Sequence, residues 1–237
     1  MKSLTLSAFI LLTSFFSFCQ SSKDKVFTQQ HRDIENFTGI KVQNAIDVNI
    51  QLGNVNTVTV FTSEADDQSK VITEVINGIL HIKLDGNNYK WRNRSIKVDI
   101  TMQTIESLNA SGASSIKVVD NIVAKELTIN LSGASNLKAA IKVLKLNADI
   151  SGASDLKLSG ICEVANIQAS GASSVKNYDL NCEDADLKAS GASNIKISVT
   201  KSIKANASGA SSIHYKGSPS VKDVKNSGAS SVKNKED

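Results

Sequence analysis

Proline is almost missing from this sequence: 237 residues contain one, Pro219. That excludes a polyproline or collagen-like chain. Cysteine is scarce too, and three residues are too few for a disulfide-stapled miniprotein. Aromatics make up 5% of the chain, so the core must use small and branched aliphatic side chains. No long apolar run occurs beyond residue 18, and no helix of the mature chain is expected to span a membrane. The three histidines, His31, His81 and His214, are far apart, and no Cys/His cluster has metal-ligand spacing. A formal charge of +4, from 27 basic and 23 acidic residues, is too balanced to indicate nucleic acid. What is present suffices for a fold: 41% hydrophobic residues can bury a sizeable core, in one large domain or two small ones.

The start of the chain reads as an address. Met1 and Lys2 precede a mostly apolar run from Leu4 to Phe18, too short to cross a bilayer comfortably and suited to the h-region of a secretory signal. Ser17 and Cys19 supply small residues at the −3 and −1 positions of a cleavage site before Gln20. The alternative is a lipoprotein anchored through Cys19, which the bulky Phe18 before it disfavours. The mature chain is expected in the periplasm, on the outer-membrane surface or outside the cell. Export places Cys162 and Cys182 in an oxidising compartment.

A repeat organises the second half. The tetrapeptide Ser-Gly-Ala-Ser starts at Ser111, Ser132, Ser151, Ser170, Ser190, Ser208 and Ser227, at spacings of 21, 19, 19, 20, 18 and 19 residues. After each copy come one polar residue, one branched aliphatic residue and then Lys117, Lys138, Lys157, Lys176, Lys196, His214 or Lys233. Before each copy apolar and polar residues alternate, as in Leu127-Thr128-Ile129-Asn130-Leu131. Period-two alternation is the signal of a strand with one buried face. A unit of this length cannot bury its own apolar side, but stacked units about 4.8 Å apart pair every backbone group with the rungs above and below.

The expected fold is therefore all-β, a single-stranded parallel β-helix with about 19 residues per rung. Each rung reads as a strand, a corner, a second short strand and a looser return. Gly112, Gly133, Gly152, Gly171, Gly191, Gly209 and Gly228 would stack in a column at the corner, where a sharp bend needs φ > 0 and leaves no room for a Cβ. The flanking serines can bond backbone groups freed by the bend, and Ala is expected inside the corner. One tetrapeptide per rung and an irregular rung length favour a right-handed helix, the general hand of parallel crossovers.

Residues 34–110 lack the tetrapeptide but keep the alternation, for example in Ile46-Asp47-Val48-Asn49-Ile50. Asn77-Gly78 predicts a tight hairpin between Val71–Ile76 and Ile79–Leu84. Phe27, Phe37, Phe61, Tyr89 and Trp91 gather in the N-terminal part. The expected organisation is a signal over 1–19, a disordered segment over 20–33, and the N-terminal part of the β-helix with its capping hairpin over 34–110. Seven rungs over 111–233 and a tail over 234–237 follow. A separate β-domain for 34–110 is the alternative. In the last rung Asn226 stands where earlier rungs have an inward-facing apolar residue, and Pro219 with a crowd of lysines (Lys222, Lys225, Lys233, Lys235) is expected to blunt the open sheet edge.

The corners, together with the block Phe37-Thr-Gly-Ile-Lys-Val-Gln-Asn-Ala-Ile-Asp-Val-Asn-Ile-Gln-Leu-Gly53 and Val58-Thr-Val60, resemble the head GIN domain family of secreted bacterial adhesin-like proteins. The resemblance runs over nearly all of residues 34–233. It implies a right-handed β-helix akin to the pectin lyase fold without its catalytic residues. It also implies a role at the cell envelope, in adhesion. Neither a C-terminal translocator barrel nor a coiled-coil stalk is expected.

No catalytic constellation emerges, and neither a cofactor nor a metal is expected. Ser-Gly-Ala-Ser is not the nucleophile elbow Gly-x-Ser-x-Gly. The repeats contain no arginine, and their acidic residues are scattered. Glu163 and Glu183 do share a position in their rungs and could act as an acid–base pair, or simply be solvated carboxylates beside lysines. Cys162 and Cys182 also fall in register: a disulfide and two core cysteines acting as small hydrophobes are both open. The best candidate for function is the column Lys117, Lys138, Lys157, Lys176 and Lys196, whose repeated like charge suits an anionic polysaccharide or another cell-surface component. The plainer alternative is lysine copied by repeat duplication, its stem covering apolar surface. Nucleic acid is not an expected partner, and end rungs could pair between chains to form a homo-oligomer. The leading expectation is a non-enzymatic adhesion or scaffolding protein binding through the outer face of its strands. The alternatives are a carbohydrate-active enzyme on a β-helix and a hydroxyl-ladder surface binder of the ice-binding type.

Overall fold

A computed structural model describes residues 27–86 and 95–235. The signal, Cys19, residues 20–26, Tyr89, Trp91 and the last two residues of the tail lie outside the described residues. The strands are β1 (Thr28–Arg32), β2 (Gly39–Val42), β3 (Asp47–Leu52), β4 (Thr57–Thr62), β5 (Val71–Ile76), β6 (Ile79–Leu84), β7 (Ile96–Met102) and β8 (Ser107–Ala110). They continue with β9 (Ser115–Leu131), β10 (Asn136–Ile150), β11 (Asp155–Ala169), β12 (Ser174–Ala189), β13 (Asn194–Ala207), β14 (Ser212–Lys216), β15 (Val221–Asn226) and β16 (Ser231–Asn234). All belong to one hydrogen-bonded sheet, wound as a β-solenoid of about 7 turns. Among the described residues no helix is long and apolar enough to cross a membrane.

The rungs β9 to β13 are nearly continuous strands of 14 to 17 residues. The looser return expected from the sequence is instead strand that bends. Differences in rung length are taken up at register shifts, such as those between Lys138 and Ala140, Leu156 and Gly160, and Asn177 and Asn181. Alternation sets the faces: Leu127, Ile129 and Leu131 are buried, as are Leu146, Ala148 and Ile150 one rung on. Each such Leu or Ile contributes about 1.5–3 kcal/mol by leaving water.

The corners place their residues differently from the expectation in one respect. The glycines adopt positive φ, +71° at Gly152, and a Cβ there would lie 2.4 Å from the Gly133 carbonyl oxygen of the preceding rung. That oxygen is held in place by the Ala153 N–H, which donates to it at 2.7 Å. The corner Ala, however, is exposed, and the buried corner residue is the second serine: Ser114, Ser135, Ser154, Ser173, Ser193 and Ser211 are all at most 2% exposed. Burying a hydroxyl demands a partner. Ser193 Oγ donates at 2.8 Å to the Ser190 carbonyl across its own bend, and Ser211 does the same to Ser208. The small side chains of the interior are strand alanines such as Ala148, Ala165 and Ala185.

Chain order and rung order differ at the N-terminal end. Strand β2, a corner at Asn44 and Ala45 (φ 67° and 59°), and β3 form the rung beneath β8 and β9. The chain then returns below that rung, so that β6 pairs with β2 and β7 with β3, both in parallel. Antiparallel strands close the stack: β5 on β6 through the Asn77-Gly78 turn, β4 on β7, and β1 on β4. Thr28–Arg32 is thus an ordered edge strand, which corrects the expectation of disorder over 20–33 for these five residues. Gln68, from a short 3-10 helix (Ala65–Lys70), fastens this edge by donating to the Thr28 and Val60 carbonyls at 2.8 and 2.9 Å.

Candidate functional site

One wall of the solenoid runs without interruption through β1-β4-β7-β3-β9-β10-β11-β12-β13-β14-β16. Because alternate residues face outward, strand pairing lines up one outward residue from each strand. On the N-terminal side the line is His31, Thr59, Asp99 and Asn49, which leads to Lys117. Lys117, Lys138 and Lys157 are successive register partners. Lys176 follows Val175, which pairs with Leu156, and continues through Lys196 and His214 to Lys233. Lys117, Lys138, Lys157 and Lys176 are exposed and Lys196 is half-buried. The lysine column predicted from the repeat is therefore brought together by the fold, on neighbouring strands about 4.8 Å apart.

Outside the column three lysines meet carboxylates of the preceding rung, Lys145 to Glu126 at 3.0 Å, Lys201 to Glu183 at 2.5 Å and Lys204 to Asp186 at 3.4 Å, while Lys125, Lys142 and Lys188 have no ion-pair partner among the described residues. The Lys145 and Asn147 hydrogen bonds hold the Glu126 carboxyl below its usual range. In the column only Lys176 is paired, with Asp155 at 2.9 Å; Lys117, Lys138, Lys157 and Lys196 have no ion-pair partner among the described residues. Beside the lysines runs a second line of small polar residues, Ser115, Asn136, Asp155, Ser174, Asn194 and Ser212. His214 interrupts the cations, and burial followed by the charges of Lys235, Lys196 and Lys233 pushes its pKa below 6.5.

The other candidates fare differently. Glu183 is engaged by Lys201, whose pKa that hydrogen bond raises. Cys162 and Cys182 are register partners, buried, and present as two free thiols. Cys162 Sγ lies 3.1 Å from the Val164 carbonyl oxygen. His31 and His214 stand near opposite ends of the lysine wall, and His81 is on β6, so the three histidines do not meet. Among the described residues no group of three His, Cys, Asp or Glu could hold a metal ion.

Sequence reasoning missed two shallow hollows at the N-terminal end of the wall. One, of about 370 Å³, is lined by Asn49, Gln51, Thr57, Thr59, Asp99 and Lys117 among others. The second, of about 430 Å³, shares Asn49 and Asp99 and adds Phe27, Phe61 and Lys97. The alternation of Thr57, Thr59 and Phe61 shows that these residues share a face. It does not show that β7 lies between β4 and β3.

The family described as "Putative auto-transporter adhesin, head GIN domain" matches residues 36–219. Among curated proteins none matches the chain. Among solved structures, a "putative adhesin" from Bacteroides fragilis is similar with a TM-score of 0.82 at 21% identity, over 90% of this chain and 98% of that one. A "putative adhesin" from Parabacteroides merdae has a TM-score of 0.71 at 17% identity, over 88% and 96% of the two chains. A "putative lipid binding protein" from Parabacteroides distasonis has a TM-score of 0.69 at 18% identity, again over 88% and 96%. At these identities the likeness is one of fold.

Proposed function

The chain belongs to the head GIN domain family, and from that premise we propose that it is an exported, non-enzymatic adhesin that binds anionic polysaccharide along its lysine wall. The observation that carries this reading is the column itself: five lysines stack rung on rung, and one of them, Lys176, has a carboxylate partner among the described residues. Outside the column Lys145, Lys201 and Lys204 each meet a carboxylate one rung away, whereas four of the five column lysines have none among the described residues. Like charges one rung apart repel by a few tenths of a kcal/mol each in water. A polyanion laid across the rungs would relieve that repulsion at every step. The long sheet gives the ligand a rigid track, so little ordering of the protein opposes binding.

Charge reversal tests the reading. Lys138→Glu combined with Lys157→Glu should abolish binding of hyaluronate oligosaccharides to the full-length mature chain. Raising the salt from 0.05 to about 0.5 M should weaken the wild type progressively as the Debye length shrinks. Binding that survives the double reversal would sink the proposal.

A further inference from the structure

The geometry points to a sugar-ring subsite in the paired hollows at the N-terminal end of the lysine wall, one that takes an uncharged, hydroxyl-rich ring of the glycan whose acidic groups lie on the column. This rests on the proposed function and gives the ligand a composition: acidic and neutral sugars in one chain.

The lining chooses the ligand class. Thr57, Thr59, Asn49 and Gln51 can both donate and accept hydrogen bonds, as sugar hydroxyls can. Asn49 Nδ2 donates to Asp99 Oδ1 at 3.0 Å, across neighbouring strands. That bond fixes both side chains and leaves the Asn49 carbonyl oxygen and the second Asp99 oxygen to accept from a ligand. The adjoining hollow adds Phe61 and Phe27, whose faces suit the apolar C–H face of a sugar ring. The Lys97 ammonium sits 5.0 Å from the Phe27 ring centroid and steadies that side. A sugar ring has this same division, hydroxyls around its rim and C–H groups on its face.

Other ligands fit less well. A wholly apolar molecule would leave the Thr, Asn and Asp groups without partners. A free phosphate or a carboxylate would be placed against Asp99. A divalent cation would meet one carboxylate flanked by Lys97 and Lys117. Lys117 lines the first hollow and also begins the cation column, so a chain leaving the subsite meets ammonium groups from its next acidic sugar onward.

Charge-neutral variants isolate this subsite from the lysines. Binding would be measured for three probes: hyaluronate oligosaccharides, in which uronate alternates with a neutral sugar; oligogalacturonate, which is acidic throughout; and polyglutamate, which has no sugar ring. Asn49→Ala, whose side chain is exposed, and the double variant Asn49→Ala with Phe61→Ala should each weaken hyaluronate binding, the double by about tenfold or more. Neither should change polyglutamate binding. Oligogalacturonate should bind more weakly than hyaluronate and respond less to the variants. Unchanged hyaluronate affinity in Asn49→Ala, a variant with no core contact to lose, would overturn the subsite while leaving the lysine reading intact. Equal losses for all three probes would overturn it too, since the variants would then be acting on the track and not on a sugar ring. If wild type binds none of the probes, the functional reading fails and the subsite with it.

Discussion

Cys162 and Cys182 are register partners on consecutive rungs, each no more than 1% exposed and facing the inside of the solenoid. Interaction with Cys162, together with burial, pushes the Cys182 thiol far above the usual thiol range. The Cys162 thiol is shifted the other way, so protection of the pair rests on burial, which keeps a reagent from both sulfurs. The native chain should therefore resist iodoacetamide and gain two labels only in denaturant. Intact mass with and without reductant checks the pairing, and a loss of two protons that reductant reverses would show the sulfurs bonded.

Gly152 tests the corner. Gly152→Ala places a Cβ 2.4 Å from the Gly133 oxygen at a φ of +71°, so strain and collision add. The expected loss is about 2 kcal/mol or more in urea unfolding. Gly78→Ala, at φ +74° but with nothing near its Cβ, should lose only the conformational part, about 1 kcal/mol.

Asn177 is fully buried: its Oδ1 accepts from the Leu158 N–H at 2.8 Å, at a register shift, while its Nδ2 has no hydrogen-bond partner among the described residues. Asn177→Ala would strand that amide and open a small cavity. Removing the unpartnered Nδ2 offsets part of this, so the expected cost is about 1–2 kcal/mol, read as a lower denaturation midpoint with little change in m-value.

Lys176 and Asp155, by contrast, pair in the open, with about half of each side chain exposed. Such a pair contributes up to about 1 kcal/mol and often nothing. Lys176→Ala should leave the melting temperature within a few degrees of wild type. The same reasoning predicts that the lysine-reversal variants fold.

His214 gives the wall a pH response. Its folded pKa lies below the ordinary 6.5, through burial first and then Lys235, Lys196 and Lys233. Between those two values the unfolded chain binds more protons than the folded one, so stability rises with pH in that window and falls on acidification through it. His81, lowered by burial and then by Lys41, acts in the same direction. A carbon-detected titration should place the His214 midpoint below 6.5, and His214→Asn should reduce the loss of melting temperature between pH 7 and 5. A bound polyanion should move the midpoint upward.

The repeats made their half of the fold legible because a tetrapeptide that must bend marks each rung end, and alternation marks what faces inward. The column Lys117 to Lys196 followed from the same spacing. The corner at Asn44-Ala45 was not legible, since two non-glycine residues with positive φ do the work of Gly-Ala there. Nor was the order of rungs around β2 and β3. Pairing of β7 with β3 joins residues some fifty positions apart, with nothing in either segment to name its neighbour. The two hollows depend on that pairing and were hidden with it. The buried corner serine escaped for a different reason: its hydroxyl finds backbone partners at its own bend or on a neighbouring rung, so a residue that reads as surface is interior.

The register shifts are confined to one part of each rung. None interrupts the stretch that runs from Ala185 and its equivalents, through the corner, to Ile116 and its equivalents. A residue gained or lost in evolution is thus absorbed on the far side, while corner and cation keep their interval. The wall behaves as a scale whose graduations stay fixed as the rest of the chain drifts. Only duplication or loss of a whole rung changes its length, and then by one graduation at a time.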